Sequence, residues 1–288
     1  MLDVLDDVVT LPEGRRIGFR VRGGLSSRPI VYFHGQPGSR LEAELIPDAA
    51  IEAAGACLVS FDRPGMGRSD LIPARDMTID VEDAISVADH LGIGRFAVMG
   101  VSAGGPPAFA LAATHPERVE RAVLCCASGP YDDEAYMPAE DIEDLRRLRA
   151  LGADGVLAEY EELRRGVLAD VASFVAGWFA EFPASERDWI TSPPAAPAIV
   201  VDYTEALRQG ARGWLRETEV RAMPWTFDPA TITSPVAAFH GGQDEWELVA
   251  NIRRVVDRIP GATLTVYAEG NHLRPLMHPD VLLAAAVG

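Results

Sequence analysis

The segment Gly100-Val-Ser-Ala-Gly104 follows directly on the apolar run Arg95-Phe-Ala-Val-Met and precedes an Ala-rich stretch. A strand that enters Gly-x-Ser-x-Gly and leaves as a helix is the pattern of a nucleophile elbow. Glycines flank the serine because the turn is too sharp for side chains, and the serine itself is expected at positive φ with its hydroxyl clear of the backbone. Ser102 is then the candidate nucleophile. Such a serine needs a base to take its proton, a carboxylate to orient that base, and backbone N–H donors for the developing oxyanion.

Six histidines compete for the role of base. His90 falls inside a helical stretch, and His115 and His278 each precede a proline. His34 and His240 end apolar runs. His272, in the loop Glu269-Gly-Asn-His272 after the last predicted strand, is the best placed. For the carboxylate, Gly241-Gly-Gln-Asp244 follows the strand Val236–His240, which puts Asp244 at the sheet rim. Asp132 is the rival acid, and Glu245 and Glu247 read as solvated charges at a helix start. One oxyanion donor is expected from the N–H of Ala103, the residue after the nucleophile. The other is expected from His34-Gly-Gln-Pro-Gly-Ser39, where Pro37 has no N–H and Gln36 is the natural donor.

These residues have to sit at the carboxyl ends of strands, where open α/β sheets place their sites. Val4–Leu11 and Arg16–Val21 read as strands joined by the turn Pro12-Glu-Gly14. Ile30–His34, Cys57–Asp62, Arg95–Val101 and Val119–Cys126 read as further strands. Leu41–Ala54 has helical spacing and ends at Gly55, while Thr78–Leu91 has Thr78 as its expected N-cap. Ala103–Thr114 completes the strand–helix alternation, which argues for a parallel sheet covered on both faces. The alternation then stops. From Gly129 to Asp228 helical segments dominate (Glu140–Leu151, Val156–Ala169, Val171–Phe182, Val201–Arg221), and four of the five tryptophans lie there. It resumes with Val236–His240, Glu247–Ile259, Thr263–Ala268 and Pro275–Val287. The expected organisation is one α/β core, residues 1–128 and 229–288, with a helical cap at 129–228.

The chain has 288 residues, 48% of them apolar, enough to bury a substantial core. Its formal charge of −17 disfavours nucleic acid and anionic membrane surfaces as partners. Cys57, Cys125 and Cys126 all lie in apolar runs and read as buried free thiols of a reducing compartment. The acidic start Met1-Leu-Asp-Val-Leu-Asp-Asp has neither a basic n-region nor an apolar h-region, so a cytoplasmic location is expected. A small-molecule substrate is the expected partner, and the sequence allows a homodimer without requiring one.

The chain resembles the α/β-hydrolase superfamily over nearly its whole length. The resemblance rests on His34-Gly-Gln-Pro-Gly-Ser39, Phe61-Asp-Arg-Pro-Gly-Met-Gly-Arg-Ser69, Gly100-Val-Ser-Ala-Gly104, His240-Gly-Gly-Gln-Asp244 and Gly270-Asn-His272, and on the order Ser102, Asp244, His272. It implies an eight-stranded, mostly parallel sheet with helices on both faces and a helical cap after the sixth strand. In such proteins Asp62-Arg-Pro-Gly-Met-Gly-Arg-Ser69 is usually a structural loop near the site, and it is given no chemistry here. Ser102 argues against haloalkane dehalogenases and epoxide hydrolases, which carry aspartate at that position. Ala103 argues against prolyl iminopeptidases, which usually carry tryptophan there. Gln36-Pro37 leaves fewer glycines than carbon–carbon bond hydrolases tend to carry. The reading that follows is a cofactor-independent serine hydrolase of a small, apolar carboxylic ester. Carbon–carbon bond hydrolysis or perhydrolase chemistry on the same triad is the alternative, and a non-catalytic small-molecule receptor is the third.

Overall fold

In the computed structural model, which describes residues 2–288, eight strands form one sheet. They are β1 (Val4–Thr10), β2 (Arg16–Arg22), β3 (Arg28–Phe33), β4 (Ala56–Phe61), β5 (Phe96–Val101), β6 (Val119–Cys125), β7 (Val236–Gly241) and β8 (Thr263–Tyr267). Their order across the sheet is β1-β2-β4-β3-β5-β6-β7-β8. β1 and β2 run antiparallel to their neighbours, and the strands from β4 to β8 are parallel. The parallel strands read as near-continuous apolar runs because both faces are covered. Every residue of β5 is buried, and its side chains alternate between two cores. Phe96 and Val98 pack towards α2 (Met77–His90), α3 (Gly105–Thr114) and α9 (Val249–Val256). Ala97, Met99 and Val101 pack towards α1 (Asp48–Ala54) and α10 (Pro279–Val287).

Between β6 and β7 the described chain contains five α-helices and no strand. They are α4 (Ala139–Ala169), α5 (Val171–Trp178), α6 (Ala184–Ile190), α7 (Ala195–Ala206) and α8 (Arg212–Arg221). The expected helices Glu140–Leu151 and Val156–Ala169 are one element, α4, kinked at Gly152 with φ 71°. The expected Val201–Arg221 is instead two helices, α7 and α8, separated at Gly210 with φ 114°. α6 lies in a stretch for which no helix is expected. Two local expectations also shift. Pro47 breaks Leu41–Ala54 into a short 3-10 turn at Glu42–Leu45 and α1. Asp76, not Thr78, caps α2, its carboxylate accepting the N–H of Thr78 and of Ile79. Among the described residues no helix is long and apolar enough to cross a membrane.

Candidate active site

β5 delivers Ser102 into the turn at φ 50°, and α3 begins three residues later. The space around the turn explains its glycines. A Cβ on Gly100 would lie 2.5 Å from the Gly104 carbonyl oxygen, and one on Gly104 would lie 2.2 Å from the Phe33 carbonyl oxygen. Neither obstacle is a side chain that could swing away. Gly104→Ala is therefore expected to destabilise the fold by about 1–3 kcal/mol. Urea denaturation checks this, and an unchanged midpoint would contradict so close an approach of the turn to the end of β3.

His272 and Asp244 meet beyond the ends of β7 and β8. His272 Nδ1 lies 2.8 Å from Asp244 Oδ2. Asp244 Oδ1 accepts the N–H groups of Trp246 and Glu247, each at 3.0 Å, which fixes the rotation of the carboxylate. Gly241 lets the two loops touch, since a Cβ there would lie 2.2 Å from the Asn271 carbonyl oxygen. Burial pushes the Asp244 carboxyl up, but His272 and His240 and the Glu247 N–H outweigh it, and its pKa falls below the ordinary range. Burial likewise pulls the His272 imidazole down. The charge and hydrogen bond of Asp244, with the adjoining Cys126 thiol, more than reverse this and hold it well above its ordinary value. Asp244 is thus an ionised partner for a readily protonated imidazole.

The rival acid is elsewhere. Asp132 is an ion-pair partner of Arg254 on α9. His240 donates from Nε2 to the Glu247 carbonyl oxygen at 2.6 Å and is buried with its pKa lowered by desolvation, so it has a structural partner of its own. His34 is also buried, within the oxyanion loop.

Ser102 and His272 line one cavity of about 510 Å³ together with Gly35 and Gln36. The Ser102 hydroxyl makes no protein hydrogen bond among the described residues. The Gln36 N–H has no hydrogen-bond partner among the described residues. Ala103 lies in the first turn after the elbow, where N–H groups lack intrahelical acceptors. Two unspent donors therefore flank Ser102, the candidate nucleophile. The cavity wall carries a group of aromatic side chains, Trp178, Phe179, Tyr203, Trp214 and Trp246 among them, beside charged and aliphatic ones. Trp178 and Trp214 of the helical segment reach the cavity. Trp225 instead packs on Phe109 and stacks on Phe227.

Sequence reasoning missed a polar group on the same wall. Glu247, expected as a solvated charge, is only 3% exposed. It accepts from Ser128, from Arg221 at 2.8 Å and from Tyr131 at 3.4 Å, and burial pushes its carboxyl up to about 7. The one available signal was its place three residues after Asp244. Arg221, from α8, is also 3.4 Å from Gln36 Oε1 and lies over the Tyr131 ring.

The alpha/beta hydrolase fold model matches residues 28–279, most of the chain. The chain belongs to the α/β-hydrolase family. It is similar to a 2-hydroxy-6-oxononadienedioate/2-hydroxy-6-oxononatrienedioate hydrolase of Burkholderia vietnamiensis, 30% identical over 89% of this chain and 85% of the relative. It is similar also to a probable proline iminopeptidase of Streptomyces coelicolor, 33% identical over 85% of this chain and 64% of the relative. Among solved structures, an esterase from Exiguobacterium antarcticum shares the fold with a TM-score of 0.72 at 17% identity, over 99% of this chain and all of that one. The first two relatives belong to classes that Gln36-Pro37 and Ala103 weighed against, so those departures do not by themselves set this α/β-hydrolase apart from them. A hydrolase is what these relatives have in common.

Proposed function

We propose that this α/β-hydrolase cleaves a small, apolar carboxylic ester through an acyl-enzyme on Ser102, His272 and Asp244. The observation that carries the reading is the convergence on one cavity of a serine at φ 50° and a histidine bonded 2.8 Å from a buried carboxylate. His272 takes the Ser102 proton as the oxygen attacks the ester carbonyl. Asp244 holds the imidazole in the tautomer with a free Nε2 and stabilises its protonated form. The N–H groups of Gln36 and Ala103 receive the oxyanion. The imidazolium then protonates the departing alkoxide, and water attacks the acyl-enzyme by the reverse sequence. The helices at 129–228 serve as the cap that supplies most of the apolar wall.

Carbon–carbon bond hydrolysis is the second reading, favoured by the 30% identity to the Burkholderia vietnamiensis relative. The charges on the cavity wall weigh against a dianionic substrate such as that relative's name describes. Glu140, Asp141, Asp144, Glu159 and Glu245 line it, with Glu42 and Glu247, whose carboxyls burial pushes up to about 7, against Arg147 and Arg221. Both arginines are already paired, Arg147 with Glu159 and Arg221 with Glu247. A second anion in this wall meets net repulsion, screened by solvent where Glu140, Asp144, Glu159 and Glu245 are exposed. A panel of p-nitrophenyl esters from acetate to octanoate, run beside a vinylogous diketone acid, separates the readings. Turnover of the esters is expected, with neutral acyl groups preferred over carboxylate-bearing ones. A kcat/KM for the diketone acid above that of the best ester would move the assignment to carbon–carbon cleavage.

A further inference from the structure

Arg63 lies in the loop after β4 that the sequence reading treated as structural, and its side chain is 3% exposed. Its guanidinium reaches both pieces of backbone that carry the oxyanion donors. Nη1 donates to the Ala103 carbonyl oxygen at 2.9 Å, and Nη2 donates to the Gly35 carbonyl oxygen at 3.0 Å. The second contact has a direct geometric consequence. The Gly35 carbonyl and the Gln36 N–H belong to one planar trans peptide, so they point in opposite directions. A donor gripping the oxygen from behind aims the N–H forward. His34 reinforces the grip. Its Nε2 accepts the Arg63 backbone N–H at 3.2 Å, which leaves Nδ1 as the protonated nitrogen, 2.8 Å from the same Gly35 oxygen.

The counterion of Arg63 comes from the helical insertion. Glu217 of α8 places Oε1 2.9 Å from Arg63 Nε, at an angle too poor for a hydrogen bond, so charge holds the pair. One residue along α8, Thr218 accepts from Gln36 Nε2 at 2.7 Å. A single helix thus seats the Gln36 side chain directly and the Gln36 peptide through Arg63.

We propose that Arg63, seated by Glu217, is the positioning residue for the oxyanion hole, so that the hole is complete only with α8 docked on the core. This role rests on the acyl-enzyme reading above. Arg63 touches no reacting atom. Its contribution is to hold two backbone segments in the orientation that the tetrahedral oxyanion needs, and it should therefore show in the transition state and not in substrate binding.

The test compares the parent protein with Arg63→Lys and with the double variant Arg63→Met/Glu217→Leu, since removing one partner of a buried ion pair alone can prevent folding while removing both is often tolerated. Active sites are titrated with a fluorophosphonate, and kcat is expressed per titrated site. The double variant is expected to lose about 10²-fold in kcat, with KM within a few-fold of the parent, the loss expected when one oxyanion donor is misdirected. Affinity for an aryl trifluoromethyl ketone, which mimics the tetrahedral state, should fall in step. Arg63→Lys keeps the charge but not the two-pronged grip, and should lie in between. Unchanged kcat per titrated site and unchanged ketone affinity, with only a lower melting temperature, would overturn the proposal and leave Arg63 a packing residue. Failure to label the parent at all would overturn the acyl-enzyme reading, and this role with it. Labelled parent with kinetically normal variants would overturn this role alone.

Discussion

Ser102→Ala is expected to lower kcat for a short p-nitrophenyl ester by about 10⁶-fold, the scale seen when a triad nucleophile is removed, and to abolish fluorophosphonate labelling. The size of the effect follows from the lack, among the described residues, of a substitute near the elbow. Ser128 donates its hydroxyl to Glu247. Burial, with the neighbouring Cys125 thiol, outweighs the pull of the adjoining His272 and holds Cys126 well above the ordinary thiol range. Cys126 follows β6, but its N–H is spent on the Phe239 carbonyl oxygen, and that of Ser128 on the Ser102 carbonyl oxygen. The residual rate should still exceed that of water by about 10³–10⁴-fold, because the oxyanion donors and the cavity remain. Digestion of the labelled parent should place the phosphonate on the peptide containing Ser102. Labelling of Ser102→Ala at the parental rate would sink the assignment, whatever the residual hydrolysis.

The parts of the site that were legible are those with a fixed local grammar. The elbow demands glycine at set offsets from the serine because backbone atoms of Phe33 and Gly104 occupy the space a Cβ would fill. Gly241, Asp244 and His272 sit at strand ends that apolar runs announce. What stayed hidden depends on tertiary partners or on breaks that leave helical periodicity intact. Gly152 and Gly210 interrupt helices whose flanking patterns continue, so α4 read as two elements and α7 and α8 read as one. Asp76 and Thr78 are both good capping residues, and only the helix start, one residue after Asp76, decides between them. Glu247 looks like any charge at a helix start until Arg221 and Ser128 arrive from other elements to bury it. Glu217 and Arg63 have the same character. Each is an ordinary surface residue type, and the pair exists only because α8 docks over the loop after β4.

Asp244→Asn tests the carboxylate of the proposed triad, and its chemistry predicts both a magnitude and a pH signature. Asp244 Oδ1 faces two backbone N–H groups, from Trp246 and Glu247, so in the variant the amide oxygen has to occupy that side. The NH₂ is then turned towards His272 Nδ1, where the parent presents a carboxylate oxygen at 2.8 Å. An imidazole that accepts at Nδ1 carries its proton on Nε2 and cannot take the proton of Ser102. The expected loss in kcat is about 10⁴-fold, as for a triad locked in the wrong tautomer. The acid limb of kcat/KM should move as well. The base works only when neutral, so activity is lost as pH falls through the imidazolium pKa. Asp244 is the largest influence raising that pKa, which puts the limb of the parent above the ordinary histidine value of 6.5. Without the negative charge the limb should shift to lower pH, even as the plateau drops. Asp132 supplies the control, because its carboxylate is paired with Arg254 and makes no contact with His272 among the described residues. Asp132→Asn should leave kcat within tenfold of the parent and the acid limb in place. A mild Asp244→Asn beside a severe Asp132→Asn would transfer the carboxylate role to Asp132 and require the loop after β6 to rearrange in the working enzyme.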